Sequence, residues 1–385
     1  MAKILEDIRV LDLTHVYYGP YTTMFLADMG AEVIKIEPPW GDETRFYAPL
    51  YGGMSAVYLF FNRNKKGMTL NLKDPKGKEI FLKLLKQSDI VIENYKPGTM
   101  EKMGLGYEEL KKIKPDIIYA SLSGFGQTGP YTSRPSFAPI AEAMSGWMVL
   151  NGIAVDPEGP PVVTSNWHGD LDPGLFATIA ILGALRHRDR TGEGQMIDVA
   201  QYDCMITQTG VSITSHLMRT RDAKQAVPPQ QSADRLLLST FGLFRASDGY
   251  VYIAADARMK DRLLKGMGID KLEKTEELRE WVSKKTVKDV VDALVQADVP
   301  VGPVYQLNQT VEDPQTKARN MIVTMEHPTA GTVRLPNFPI KFSKTPGEAL
   351  MPAPTLGQHN EEILTKLAGY TKEEIETLKR NGVIT

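Results

Sequence analysis

The run Gly169-Asp170-Leu171-Asp172-Pro173-Gly174 sets two carboxylates beside a flexible glycine, where a long apolar segment begins. Asp172 before Pro173 reads as a helix N-cap with proline at the first helical position, which is a structural role. Asp170 has no such role. One step outside the cap, its carboxylate lies near the positive end of the helix, worth about 0.3–1 kcal/mol toward keeping it ionised. Free peptide N–H groups there can hold a developing oxyanion. An ionised, positioned carboxylate can attack an activated acyl carbon and form a covalent intermediate. Asp170 is therefore the candidate nucleophile.

A second pattern is basic. Arg63, Lys65, Lys66 and Lys73 fall in a span with no acid before Asp74, and Lys96 and Lys102 follow the next strand. Open parallel sheets bind ligands at the C-terminal ends of their strands, so these cations can converge on phosphates. A solvated surface is the alternative for any single lysine. In Asn94-Tyr95-Lys96-Pro97-Gly98, Tyr95 can stack on a base, Asn94 can hydrogen-bond and Lys96 can pair with phosphate. Common fingerprints are missing. After the first strand stands Thr14-His15-Val16-Tyr17-Tyr18-Gly19-Pro20, not a Gly-x-Gly-x-x-Gly turn, and no Walker loop, His-Glu-x-x-His or Gly-x-Ser-x-Gly occurs. Six scattered histidines and a single cysteine argue against a metal site, an internal disulfide or a cysteine-ligated cluster. Cys204 reads as core filling.

These groups need a frame. Strand and helix signals alternate through the first half: strands at 8–13, 32–37, 67–72, 89–93 and 116–121, and helices at 20–29, 74–87 and 107–112. That alternation predicts βαβ units and a parallel sheet. A loop at 124–135 precedes helices at 140–150 and 174–188, the second apolar almost all round and so expected in the interior. A strand follows at 195–199. Residues 223–232 read as a linker. Beyond them come a hairpin turning at Asp248-Gly249, helices at 275–285 and 287–297, and a strand at 301–307. From 323 a second hairpin turns at Ala330-Gly331, and two short helices end the chain. Neither can bury its apolar face alone, so the tail is expected to return to the first domain.

The 385 residues suggest two domains at roughly 150 per domain. A composition 42% hydrophobic and 24% charged is that of a soluble globular chain with a sizeable core. Forty-five basic against 47 acidic residues leave a net charge of -2, so no global field recruits nucleic acid or anionic membrane. The first residues carry no apolar signal core and the longest apolar stretch is too short to span a bilayer, so a cytoplasmic protein is expected.

Several segments, in this order and spacing, match one family. They are 10–14 with Gly19-Pro20, 26–37, Gly41-Asp42-Glu43-Thr44-Arg45, Asn62-Arg63-Asn64-Lys65-Lys66, 93–98, 123–130, Gly169-Asp170, 191–195 and Leu356-Gly357-Gln358-His359. The chain resembles the class III (family III, CaiB/BaiF-type) CoA-transferases. That group contains the formyl-CoA:oxalate and carnitine CoA-transferases and is related to the α-methylacyl-CoA racemases. The resemblance implies an α/β fold of two domains. The larger is a Rossmann-like, CoA-binding domain whose first part spans 1–200. A helix and linker span 201–232, the smaller α/β domain spans 233–322, and 323–385 return to the large domain. It also implies an interlocked homodimer.

The resemblance makes Asp170 the catalytic aspartate and carries CoA contacts over to Val16, Tyr17, Leu70, Lys73, Asn94, Tyr95, Lys96 and Lys102. It implies CoA transfer from an acyl-CoA thioester to a carboxylic acid through an aspartyl-CoA intermediate, with coenzyme A as substrate and no tightly bound cofactor or metal. Two positions depart from the family. Pro38 stands where some transferases have arginine, and Tyr17 where formyl-CoA transferase has glutamine. No glycine-rich lid is evident between Ser232 and Ala255. Phe137 and Met144 are expected in the acceptor pocket, leaning toward a larger or aromatic acid. The alternatives are an acyl-CoA racemase or epimerase of the same fold and a non-catalytic CoA-binding homologue. A racemase needs two bases at the α-carbon, and Phe137-Ala138 stands where its His-Asp pair would be.

Overall fold

Apolar runs without polar alternation require strands covered on both faces. The computed structural model, which describes residues 2–219 and 240–385, contains six strands in one sheet, of which Ile90–Glu93 comes nearest to such a run: β1 (Arg9–Asp12), β2 (Glu32–Glu37), β3 (Lys65–Thr69), β4 (Ile90–Glu93), β5 (Ile118–Ser123) and β6 (Met196–Ala200). Every pairing is parallel and the order is β3-β2-β1-β4-β5-β6. This is the doubly wound order, with its reversal between β1 and β4.

Alternate side chains serve opposite faces. On one face Val10, Ile90, Ile92 and Ile118 pack with α1 (Tyr18–Asp28) and a long later helix. On the other, Leu11, Ile34 and Val91 meet Ile80, Phe81 and Leu84 of α2 (Pro75–Leu85) and Leu110 of α3 (Tyr107–Ile113). The tail joins that second face. Ile363 and Leu364 of Asn360–Ala368 and Ile375 and Leu378 of Lys372–Arg380 are buried in the same cluster.

Contacts divide the chain into two units, residues 1–214 with 320–385, and residues 215–319. In the smaller unit Phe241–Arg245 and Tyr250–Ala254 form an antiparallel hairpin across Asp248-Gly249, with Val301–Pro303 as a third strand. Its own core includes Phe244, Val251, Leu278 and Leu294. Ile322–His327 and Gly331–Pro336 pair as the second hairpin. The linker expected at 223–232 lies outside the described residues.

Four expectations need correction. The helix expected at 140–150 is two, α4 (Ala138–Met144) and α5 (Trp147–Val155), because Gly146 between them takes φ +85°, the left-handed region that ends a helix. The helix expected at 174–188 is α6 (His168–Thr191), so Asp172 is not its cap and Pro173 lies inside it. Its first turn starts earlier because the N–H groups of Asp170 and Leu171 donate to the Trp167 carbonyl at 2.9 and 3.1 Å. Nor is α6 buried all round: Leu175 and Ile179 remain 39% and 66% exposed. The strand expected at 301–307 stops at Pro303, and Leu307–Glu312 is helical. Among the described residues no helix is long and apolar enough to cross a membrane.

Candidate active site

The loops leaving β1 and β4 meet at the reversal of strand order, where doubly wound sheets bind ligands. The His15 N–H donates to Asn94 Oδ1 at 2.8 Å, and Asn94 Nδ2 donates back to the His15 carbonyl at 2.8 Å. Buried charges hold this turn from below. Asp12 Oδ1 accepts from the Thr14 N–H at 2.9 Å, and Lys35 Nζ donates to the Thr14 carbonyl at 2.8 Å and to Asp42 Oδ2 at 3.0 Å. Lys65 Nζ donates to Asp12 Oδ2 at 3.1 Å. Burial opposes charge on Asp42, but the Lys35 ammonium overcomes it and holds the carboxyl at about 2. Burial outweighs pairing for Lys65 and brings it down to about 8. The network fixes Val16 at φ +69°, a costly conformation for a β-branched residue, in the wall of the site.

Asp170 stands in the first turn of α6. The residue before it must be glycine: a Cβ at Gly169 would lie 2.4 Å from the Ala138 carbonyl oxygen of α4. The Gly169 N–H donates to Glu142 Oε1 at 2.9 Å. Asp170 is buried, and its Oδ1 accepts from Gln201 Nε2 at 2.6 Å, at the start of α7 (Gln201–Gln208). Burial pushes the carboxyl up to about 7, against the Gln201 hydrogen bond and with help from the Glu142 charge. The expectation that the helix end keeps it ionised is therefore corrected: a helix end contributes about 0.3–1 kcal/mol, less than one unit of pKa, and desolvation exceeds it.

Asp170 lines two cavities. One, of ≈390 Å³, brings it together with Val16, Asn94, Tyr95 and Lys96. The other, of ≈360 Å³, is walled by Tyr17, Tyr47, Phe137 and Trp167. A third, of ≈280 Å³, includes Leu70, Lys73 and Pro38 and shares His15 and Tyr95 with the first. Two expected residues stand apart from these walls. Lys102 is exposed, while Thr99 and Met103 on either side of it line the third cavity. Met144, at the far end of α4 from Phe137, reaches neither cavity that meets Asp170.

The basic cluster at 63–66 also needs correction. Arg63 and Lys65 are buried in ion pairs with Asp28 and Asp12, and Lys66 pairs with Glu32 and Glu362, so these three hold the fold rather than a phosphate. Sequence reasoning missed Gln201 and Glu142. Their signal is tertiary, since they approach Asp170 from 31 and 28 residues away in the chain. His168 does not line either cavity at Asp170; its Nδ1 lies 3.4 Å from Asp172 and its ring packs on Trp147.

The family model for CoA-transferase family III matches residues 5–360. The chain belongs to this family. It is 35% identical over 402 residues to the succinyl-CoA:glutarate CoA-transferase of Mus musculus, covering 99% of this chain and 90% of that one. It is 33% identical over 413 residues to the formyl-CoA:oxalate CoA-transferase of Streptomyces coelicolor, covering all of both. Among solved structures, a CAIB/BAIF family protein from Brucella suis superposes with a TM-score of 0.82 at 30% identity, covering 95% of this chain and 100% of that one. These relatives are named as CoA-transferases.

Proposed function

We propose that this protein transfers CoA from an acyl-CoA thioester to a carboxylic acid, with Asp170 as the covalent carrier. The observation that carries the reading is Asp170's place in the wall of both cavities, one bearing Asn94, Tyr95 and Lys96, the other apolar. Asp170 Oδ attacks the thioester carbonyl, giving a mixed anhydride and CoA thiolate. The thiolate attacks the aspartyl carbonyl, giving aspartyl-CoA thioester and the donor acid. The acceptor carboxylate then runs the sequence in reverse. Each step exchanges one acyl bond for another, so no ATP enters.

CoA binding is assigned to the larger unit: the nucleotide end against Leu70, Lys73 and Tyr95, the pantetheine arm past Val16, Asn94 and Lys96 toward Asp170, with Tyr17 closing the acyl side. Lys102 contributes at most as an exposed cation. Phe137 and Ala138 offer no proton acceptor on the acyl side, which supports transfer over racemisation. The relatives' names give glutarate in one case and oxalate in another, so they do not single out an acid for this chain.

The test is mass spectrometry after mixing with acyl-CoA thioesters. A hydroxylamine-sensitive adduct on Asp170 is expected. Its initial rate should rise about tenfold from pH 6 to pH 8, because a carboxyl titrating at about 7 gains its nucleophilic form across that range. Absence of an adduct with a broad donor panel would leave a non-catalytic CoA-binding role.

The exposed apolar side chains of Leu175 and Ile179 on α6, with Val149 and Ile153 on α5, support a homodimer, interlocked as the resemblance implies. Light scattering is expected to give twice the 42.8 kDa chain mass.

A further inference from the structure

Where α4 meets the first turn of α6, a second carboxyl is buried behind Asp170. The two backbones touch there, since a Cβ at Gly169 would lie 2.4 Å from the Ala138 carbonyl oxygen. Glu142 follows Ala138 by four residues, so it stands one turn along the same face of α4. Its Oε1 accepts the Gly169 N–H at 2.9 Å, and the side chain is 0% exposed within its own chain. Among the described residues its Oε2 has no hydrogen-bond partner. Accepting one peptide N–H does not require a charge, because an amide oxygen accepts as well. A carboxylate at this depth is costly, and its cost falls beside the nucleophile.

The geometry points to Glu142 as a positioning residue for the acyl exchange. One oxygen fixes the Gly169–Asp170 peptide, and its charge disfavours the free Asp170 carboxylate relative to the uncharged, acylated one. This rests on the covalent reading proposed above. In that exchange the aspartyl C–S bond forms and the donor's C–S bond breaks. One Asp170 oxygen leaves in the donor acid, which carries the negative charge away. Before the exchange two carboxylates share a desolvated corner, and after it one does, so repulsion between them is relieved by acylation.

Other titratable groups face Asp170. Tyr17 and Tyr18, at the start of α1, are raised by burial, with the Asp170 charge adding. From α7, Cys204 is pushed up to about 12 by burial, with Asp203 adding. On β6, burial raises Asp198. Across the cavity stand Glu43, Lys96 and His15, the last lowered by burial. On α6 itself His168 lies 3.4 Å from Asp172. Burial comes first in raising Asp170, and Glu142 is the charge that adds to it.

The experiment uses Glu142→Gln, which removes the charge and keeps an acceptor for the Gly169 N–H, and Glu142→Met, which removes both. The protein is mixed with an acyl-CoA and its free acid at fixed concentrations, and mass spectrometry reads the ratio of aspartyl-CoA to free enzyme. The pH midpoint of adduct formation is expected to fall by about one unit in both variants. The same repulsion is read a second time at pH 8, where the ratio should fall about tenfold, while at pH 5 variants and parent converge. Burial also raises Glu93 to about 7, but its partners are Ser121 and the Tyr95 N–H, so its part in the profile should stay in place. An unchanged midpoint and ratio in Glu142→Gln overturns the inference, and a change confined to Glu142→Met leaves only the Gly169 anchor. A readout without turnover separates this from the covalent reading. The rise in melting temperature that Asp170→Asn gives at pH 8 should at least halve in the Glu142→Gln background. Should it halve while no adduct forms in the parent, the repulsion stands and the covalent reading falls. Should adducts form with midpoint, ratio and melting gain unmoved, the covalent reading stands and the role of Glu142 falls.

Discussion

Asp170→Asn is expected to abolish CoA transfer and, at the same time, to make the protein more stable above neutral pH. Loss of a covalent nucleophile costs about 10³-fold or more in kcat. CoA affinity should stay within a few-fold, because the walls of the cavities are unchanged. The stability gain follows from the raised carboxyl. In the unfolded chain Asp170 titrates near 3.8 and in the fold at about 7, so the folded state binds the proton more tightly. As pH rises through this window the fold loses stability, at about 1.4 kcal/mol per unit, and above it the whole loss is present. Asparagine keeps the acceptor oxygen for Gln201 and has no charge to bury. The variant should therefore melt several degrees higher at pH 8, with little difference at pH 4. A variant that turns over normally removes Asp170 from the chemistry. One that melts lower at pH 8 shows that the carboxylate stabilises the fold rather than straining it.

The carboxylate at the root of α6 is legible because no local turn or cap chemistry explains it, while the cap role that the sequence suggests for its neighbour Asp172 is not the one it takes, since the helix starts at His168. Pro173 suggested a first helical turn, yet the helix begins five residues earlier, because the Trp167 carbonyl and the Glu142 carboxylate supply partners for the early N–H groups. Sequence pattern sees the residues that cap locally and not those that arrive from another helix. The sheet was more legible. Strands buried on both faces leave apolar runs, as in Ile90-Val91-Ile92, and the terminal helices carry apolar faces with nothing nearby in sequence to cover them. The break at Gly146 was less so, since a glycine inside an apolar helical pattern reads equally as a tolerated residue. For Asp170 the helix end is a local feature that favours charge, whereas the desolvation that dominates comes from the packing of α4, α6 and α7 and raises the carboxyl.

Arg63→Ala is expected to destabilise the larger unit by about 3–5 kcal/mol while leaving CoA affinity nearly unchanged, because it strands a buried charge. A count of lysines and arginines along 63–66 suggests a phosphate cradle, but the distance that matters is to Asp28, 35 residues earlier. Arg63 Nη2 donates to Asp28 Oδ2 at 2.6 Å and Nε lies 3.2 Å from both carboxylate oxygens, with Asn64 Nδ2 on Oδ1 at 2.7 Å. Neither side chain reaches water, Arg63 being 1% and Asp28 0% exposed. Burial already raises the Asp28 carboxyl even with Arg63 beside it. Removing the guanidinium raises it further, so the variant's deficit should shrink as pH falls and Asp28 takes up a proton. The double variant Asp28→Asn, Arg63→Met should recover much of the loss, since it removes both charges together. Urea midpoints at pH 5 and pH 8, with CoA affinity measured well below the unfolding midpoint, separate the two roles. A cradle predicts weakened CoA binding in a stable protein, and an ion pair predicts the reverse.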